Sequence, residues 1–177
     1  DTYNDQRKDI DKQMTEEANQ IVARLESQKH QSAIVIYDEN WKKGVIGIVA
    51  YRLTEMYFRP TVVICRDGEL ATGSARSVTG FDVYSAIKSC SALLINFGGH
   101  TYACGLTLRW TDVPEFCRRF HEYVEENILP TQIEPTLDID AEIDFKDINK
   151  RLHNDLKRFA PFGPCNTKPI FCTRGVY

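Results

Sequence analysis

Two short segments contain the residues whose types and spacing could do chemistry. In the first, FGGHTYACGL (residues 97–106), two glycines run directly into His100. Glycine pairs weaken strands and helices alike because they raise the entropy lost on folding. Either the backbone turns tightly around a structural histidine, or Gly98 and Gly99 let a ligand reach the backbone while His100 donates a hydrogen bond to it.

The second segment is ATGSARS (residues 71–77), which ends a predicted strand. It places four candidate residues together, namely Gly73, Ser74, Arg76 and Ser77. Backbone N–H groups freed by a glycine, a hydroxyl and a guanidinium together suit a phosphate group. The alternative is a strand-end turn with an exposed arginine.

Both segments lie in the one basic stretch of an acidic chain. The whole chain has a net charge of −3, whereas residues 41–110 contain eight Lys and Arg against four Asp and Glu. This stretch is either a local anion site or a solvated face. Gly44 and Gly47 indicate a helix packed closely on a sheet, and Lys42 and Lys43 near its N-terminus could help to attract an anion.

The other titratable residues do not form a complete active site. The acids of the basic stretch are scattered, and among the four histidines only His100 has a glycine-rich context. The cysteines form no CxxC pair, which favours buried free thiols over a zinc site or disulfides. They are Cys65, Cys90, Cys104, Cys117, Cys165 and Cys172. We therefore expect no metal site and no nucleophilic triad, but one part of a larger site.

Hydrophobic periodicity predicts the elements that must position these residues. A narrow apolar stripe predicts a long charged helix over residues 2–28. Continuous apolar runs at 33–37 and 61–66 are typical of strands buried on both faces, and with a helix at 44–57 they predict a parallel βαβ unit. A strand at 69–76, a helix at 81–90, a strand at 103–110 and a helix at 113–128 follow.

The pattern changes after a proline-containing linker at 129–136. Strict alternation over 137–145 predicts a half-exposed antiparallel strand. A short helix at 148–159, a loop and a strand from 170 follow. The predicted domains are a connector helix (1–30), an α/β domain with a mixed β-sheet flanked by helices (31–130), and the truncated start of a β-rich domain (131–177).

Nothing in the composition indicates a membrane protein. No apolar run approaches the ~18 residues that a membrane helix needs. The polar start is neither a signal nor a transit peptide, and with the free thiols it favours a cytoplasmic protein. Because the chain lacks an initiator methionine, we expect it to be a fragment of a longer protein.

Taken together, the motifs resemble the RecJ family of single-stranded-DNA-specific exonucleases. They occur in the family's order as WKKGVIGIVAYRL (41–53), RPTVVI (59–64), GSARS (73–77), FGGHTYACGL (97–106) and RFAPFGPCNTKPIF (158–171). The first four resemble the DHH-associated domain of that family. The last resembles the start of its oligonucleotide-binding (OB) β-barrel.

The resemblance implies a hydrolase that cleaves phosphodiesters from the 5′ end of single-stranded DNA with Mn²⁺ or Mg²⁺, in DNA repair and recombination. The family's metal ligands lie in a DHH domain that has no counterpart in this chain. By resemblance, Ser74 and Arg76 would hold a backbone or terminal phosphate, and His100, beside Gly98 and Gly99, would contact the phosphate near the metals. We expect the chain alone to bind nucleic acid without cleaving it.

Three positions depart from the family pattern. Lys42 stands where the family usually has histidine, Cys104 where it often has alanine, and Cys165 where it usually has glycine. Two other functions remain open, namely a related DHH phosphoesterase acting on short oligonucleotides and a non-catalytic nucleic-acid-binding or scaffold module.

Overall fold

A computed structural model of the protein describes residues 2–28, 31–163 and 166–176. The chain divides into two compact units, Asp1–Pro135 and Thr136–Tyr177. Among the described helices, none combines the length and the apolar character needed to cross a bilayer.

The first unit is built on a five-stranded mixed sheet with the order β1-β2-β3-β5-β4. Its strands are β1 (Ile34–Asp38), β2 (Thr61–Asp67), β3 (Leu70–Arg76), β4 (Leu94–His100) and β5 (Ala103–Arg109). β1 and β2 pair in parallel, which confirms the predicted βαβ pairing, and all the other pairs are antiparallel. The expected α/β fold, with helices flanking a mixed sheet, is confirmed.

Helices cover the sheet on both faces. The described α-helices of the first unit are α1 (Thr2–Gln28), α2 (Ile46–Tyr57), α3 (Val83–Ser89) and α4 (Val113–Asn127), and α5 (Lys150–Lys157) belongs to the second unit. On one face, Met14 and Val22 of α1 and Leu53 of α2 join the core with β1 and β2. On the other face, α3 and α4 bury Ile87 and Phe120 against the sheet.

The cover on the α1–α2 face is incomplete. Successive side chains of a strand point to opposite faces, so the polar residues Thr72, Ser74 and Arg76 of β3 share the α2 side of the sheet. They are half-buried, whereas Ala71 and Ala75 between them are fully buried on the α3–α4 side. Beyond β3, the residues on the α2 side of β5 and β4 are half-buried or exposed. This open part of the sheet positions the candidate site.

Strand β4 was missed by the sequence analysis. The glycine pair lies inside β4, and the chain turns only after His100, at Thr101 and Tyr102. A tight turn at Gly98 and Gly99, one of the two alternatives from the sequence, is therefore wrong in position. The apolar period is weak in this segment because β4 is an edge strand and much of it is exposed.

The second unit contains little regular structure. α5 begins where the side chain of Asn149 accepts hydrogen bonds from the N–H groups of Arg151 and Leu152. β6 (Ala141–Glu142) and β7 (Phe171–Cys172) pair in parallel. The predicted antiparallel strand at 137–145 is therefore wrong in extent and in pairing, because alternation marks an apolar face and does not specify the partner strand. Cys165 lies outside the described residues.

Candidate nucleic-acid interface

The guanidinium of Arg76 is held in place by its own strand. Its Nη1 donates hydrogen bonds to Oγ of Ser74, 2.9 Å away, and to the carbonyl oxygen of Ala75, 2.8 Å away. Ser74 and Arg76 can interact in this way because residues two apart on a strand lie on the same face. The sequence-predicted pair is therefore preorganised.

The charge of Arg76 has no carboxylate partner among the described residues. Arg52 pairs with Asp11 at 2.7 Å and Arg66 with Glu39 at 3.3 Å, but within the described part of the chain no such ion pair forms at Arg76. Burial lowers the pKa of the Arg76 guanidinium, because water is partly excluded from the charged form. A half-buried, unpaired cation is an electrostatic cost that a bound anion would relieve.

The first turn of α2 comes close to this pair at Gly47. A Cβ on Gly47 would lie 3.1 Å from Nη2 of Arg76 and 3.3 Å from Oγ of Ser74. The predicted close packing of helix on sheet at this glycine is confirmed. Between α2 and β3 lies a groove of about 570 Å³, which includes Lys43 and Tyr51 on its α2 side.

A second groove, of about 430 Å³, continues from the first across β5 to β4. Lys43, Thr72 and Gly73 line both grooves, so the two form one surface that we call the sheet groove. Lys43 lies 3.6 Å from the carboxylate of Asp67, and both side chains are exposed. Such a pair is weak and exchangeable.

Three rows of facing residues cross the open part of the sheet, and in the rows that begin at Ser74 and Thr72 every residue lines the sheet groove. Across β3, β5 and β4 the strand register gives the rows Arg76–Ala103–His100, Ser74–Gly105–Gly98 and Thr72–Thr107–Asn96. The middle residues of two rows, Ala103 and Gly105, have small side chains or none. A shallow trough therefore separates Ser74 and Arg76 on β3 from His100 on β4. Two strand spacings place Arg76 and His100 about 10 Å apart.

The two adjacent glycines of β4 serve different needs. Gly99 has φ +154, and a Cβ there would lie 2.1 Å from the carbonyl oxygen of Ala103 and 2.6 Å from Cα of Cys104. The hairpin itself therefore requires Gly99. Gly98 differs, because no atom of the described residues lies within 4 Å of a Cβ built on it. Its missing side chain leaves the backbone open toward the sheet groove.

His100 ends β4 on the exposed face. Its Nδ1 accepts a hydrogen bond from the backbone N–H of Tyr102, 3.3 Å away. A neutral imidazole that accepts at Nδ1 carries its proton on Nε2. His100 can therefore present an N–H donor from the end of the first row.

The remaining predicted residues lie nearby but make contacts of their own. The hydroxyl of Ser77 donates to the carbonyl oxygen of Phe81 at 2.8 Å, and its N–H donates to that of Tyr102 at 3.1 Å. Gly73 allows close packing, since a Cβ there would lie 2.9 Å from Cγ of Leu106 on the α3–α4 face. A phosphate contact by either residue remains a prediction.

Four polar groove residues were missed by the sequence reasoning, namely Tyr51, Thr72, Asn96 and Thr107. The alternation of Thr72, Ser74 and Arg76 along β3 was an available signal. Asn96 and Thr107 could be placed only from the strand register, and Tyr51 only from the packing of α2 beside β3. The described residues contain no group of three His, Cys, Asp or Glu that could hold a metal ion.

The comparisons with known proteins agree with this architecture. Residues 11–126 match the family model of the DHHA1 domain, and residues 139–177 match that of the RecJ OB domain. The single-stranded-DNA-specific exonuclease RecJ of Bacillus subtilis (strain 168) is 34% identical over 171 residues, which are 96% of this chain and 22% of that protein. The RecJ of Salmonella typhimurium is 29% identical, over 97% of this chain and 31% of that protein.

Solved structures show the same fold. The crystal structure of RecJ from Thermus thermophilus in complex with Mn²⁺ matches with a TM-score of 0.79 and 25% identity, over 96% of this chain and 24% of that one. The Mg²⁺ complex matches with a TM-score of 0.79 and 23% identity, over 95% and 25%. The chain thus spans between about a fifth and a third of the length of the curated relatives it matches. The chain matches the DHHA1 and RecJ OB family models in succession, and it is similar to RecJ exonucleases over nearly its whole length. We conclude that this chain belongs to the RecJ family.

Proposed function

We propose that this chain is the substrate-clamping part of a nuclease that hydrolyses the phosphodiesters of single-stranded DNA from the 5′ end. The half-buried guanidinium of Arg76 carries the proposal, because it lies in the sheet groove beside Ser74 and has no carboxylate partner among the described residues. A DNA phosphate would supply the missing anion. The names of the relatives, single-stranded-DNA-specific exonucleases, support the choice of substrate.

The groove residues make different contacts with the bound DNA strand. Arg76 provides charge-assisted hydrogen bonds to a backbone or 5′-terminal phosphate, and these are stronger than neutral ones. The hydroxyl of Ser74 can donate to the same phosphate while it accepts from Arg76. Gly98 and Gly105 leave the trough floor open, and Nε2 of His100 donates to the phosphate group on which the reaction takes place.

The reaction itself needs groups from outside this chain. Because the described residues contain no metal-holding cluster, the ligands for a divalent ion would come from the DHH domain of the longer polypeptide. The two Thermus thermophilus RecJ structures are complexes with Mg²⁺ and with Mn²⁺. Such ions activate water and stabilise the leaving oxygen. We therefore expect the isolated chain to bind single-stranded DNA and not to cleave it.

The cysteines bear on where such an enzyme works. Cys65, Cys90 and Cys104 are buried free thiols. Free thiols suit a reducing compartment. We place the longer enzyme in the cytoplasm, acting in DNA repair and recombination.

The test is fluorescence anisotropy of this chain with 5′-phosphorylated and 5′-hydroxyl oligonucleotides over a salt series. We expect tighter binding to the phosphorylated end. Arg76→Ala should weaken that binding about tenfold and lower the salt slope by about 0.7, the value for one contact to a single strand. Arg118→Ala is the matched control, since it removes the same charge from the outer side of α4, across the sheet.

The outcomes separate the proposal from its competitors. Equal losses of affinity in Arg76→Ala and Arg118→Ala would mean that binding depends only on the overall positive charge, and would overturn the proposed site. Binding without discrimination between the two 5′ ends would favour a scaffold module. A strong preference for oligonucleotides of two or three residues would favour a short-oligonucleotide phosphoesterase.

A further inference from the structure

An aromatic side chain stands on the α2 wall of the sheet groove. Tyr51 lines the same groove as Ser74 and Arg76, and 54% of its surface is exposed. Ile46 and Ile48 line this wall as well. The groove therefore has an apolar and aromatic side on α2, facing a polar and cationic side on β3.

The fold does not need Tyr51 for its core. The residues of α2 that enter the core are Ile46, Val49, Ala50, Leu53 and Thr54. Tyr51 follows Ala50 on the helix and is turned away from that buried stripe. A tyrosine at this position gains little from folding, because about half of its surface stays exposed.

The geometry of α2 brings the ring of Tyr51 next to the phosphate-binding pair. Side chains of a helix tilt toward its N-terminus, so residue 51 lies above residue 47, one turn earlier. Residue 47 is glycine, and its missing Cβ would be 3.1 Å from Nη2 of Arg76. Because no side chain intervenes at Gly47, the groove is open between the ring and the guanidinium.

We propose that Tyr51 stacks on the nucleobase of the nucleotide whose phosphate Ser74 and Arg76 bind. This inference rests on the proposed function and specifies how the groove recognises a single strand. A groove of about 570 Å³ is within the size range of sites for small ligands and cofactors. Stacking accepts every base, because every base has a π-face. An exonuclease that removes successive nucleotides needs this tolerance.

The test combines Tyr51 variants with abasic oligonucleotides. Binding of the chain to 5′-phosphorylated single strands is measured with an abasic site at the first, second or third nucleotide. In the unmodified chain we expect one of these positions to weaken binding about tenfold, as loss of one stacked base does. In Tyr51→Leu that penalty should disappear, and its affinity for the intact strand should already be about tenfold lower. Tyr51→Phe, which keeps the ring, should behave like the unmodified chain.

A second exposed tyrosine gives the matched control. Tyr37 is 43% exposed and its ring contacts Trp110 at a centroid distance of 5.8 Å. Tyr37 alternates with Ile36 on β1, so it points to the other face of the sheet. Tyr37→Leu should leave both the affinity and the abasic penalty unchanged.

Each outcome has a distinct meaning. An undiminished abasic penalty in Tyr51→Leu, with weakened binding in Arg76→Ala, overturns the stacking inference and leaves the proposed function standing. A loss in Tyr51→Phe equal to that in Tyr51→Leu overturns stacking in favour of a hydroxyl contact. If Arg76→Ala binds with normal affinity while Tyr51→Leu removes the abasic penalty, the phosphate site at Ser74 and Arg76 is overturned and base stacking on Tyr51 is supported. Absence of binding by the unmodified chain overturns both.

Discussion

Gly98 and Gly105 lie directly opposite each other on β4 and β5, and the nearest atom to a Cβ on Gly105 is the carbonyl oxygen of Gly98, 3.9 Å away. Packing within the chain therefore requires neither glycine. Glycine inside a strand costs about 0.5–1 kcal/mol relative to alanine. A pair kept at that cost on the floor of a groove is what close approach of a ligand backbone would need.

Gly98→Val should preserve the fold and weaken the binding of single-stranded DNA. Because nothing lies within 4 Å of a Cβ at Gly98, the free energy of unfolding should be unchanged or raised by up to about 1 kcal/mol. Affinity for single-stranded DNA should fall severalfold, since the side chain would fill the trough. Urea unfolding and anisotropy on the same samples check both. Wild-type affinity in a folded Gly98→Val chain would mean that the ligand does not cross this floor.

Gly99→Ala, unlike Gly98→Val, should destabilise the fold. Its Cβ would lie 2.1 Å from the carbonyl oxygen of Ala103, and φ +154 is unfavourable for any residue with a side chain. We expect a loss of about 2 kcal/mol or more in the free energy of unfolding. The shift of the urea midpoint relative to Gly98→Ala measures it. Equal midpoints in the two variants would contradict the different roles assigned to these glycines.

Ser74→Ala and Arg76→Ala should not be additive. Oγ of Ser74 accepts a hydrogen bond from Nη1 of Arg76, so Ser74→Ala frees the guanidinium to move. Each single variant should weaken binding of a 5′-phosphorylated strand, and the double variant should be close to Arg76→Ala alone. A double-mutant cycle measures the coupling. Losses that simply add would show that the two side chains bind separately.

His100→Ala should lower turnover more than it lowers affinity in the longer enzyme that contains the DHH domain. A contact formed mainly in the transition state reduces kcat and kcat/KM together. His100→Gln keeps a hydrogen-bond donor and should recover part of the rate. Single-turnover cleavage and anisotropy separate the two effects. Wild-type kcat in a folded His100→Ala enzyme would remove this residue from the site.

Cys117 should make the stability of the first unit depend on alkaline pH. Burial raises the pKa of the Cys117 thiol from 9.0 to about 12. The unfolded chain ionises this thiol near pH 9 while the folded chain keeps it neutral. Its contribution is therefore complete below about pH 9 and is lost as the pH rises toward about 12. Between about pH 8 and 11, the urea midpoint of the unmodified protein should fall more steeply than that of Cys117→Ala. At about pH 8, the Cys117 thiol of the folded protein should resist alkylation by iodoacetamide. Parallel midpoints in the two proteins would contradict this assignment.

Much of the first unit was predictable from residue patterns. The continuous apolar runs at 33–37 and 61–66 became β1 and β2, and the amphipathic pattern at 113–128 became α4 (Val113–Asn127). These elements are encoded locally, because burial on one face or both sets the spacing of apolar residues along the chain. Ser74 and Arg76 were also identified, because a hydroxyl and a guanidinium follow a glycine at the end of a predicted strand.

The second unit shows where local pattern fails. The segment from Leu137 alternates regularly, yet only Ala141 and Glu142 form a strand, and Leu137 stays 68% exposed. Alternation states which side chains share a face. It does not state whether a partner strand is available, and hydrogen bonding to a partner is what makes a strand.

By itself the sequence determined the family, the α/β class and the chemical types present in the candidate site, because these depend on residue identities and their local period. Only the tertiary structure decided what each glycine does and which residues meet. A glycine has no side chain, so its role depends on what its missing Cβ would contact, and Gly98 and Gly99 differ in that respect. Likewise Arg76 and His100, which are distant in the chain, share a row because the register of three strands aligns them. Register is a relation between strands, and no local pattern in one strand contains it.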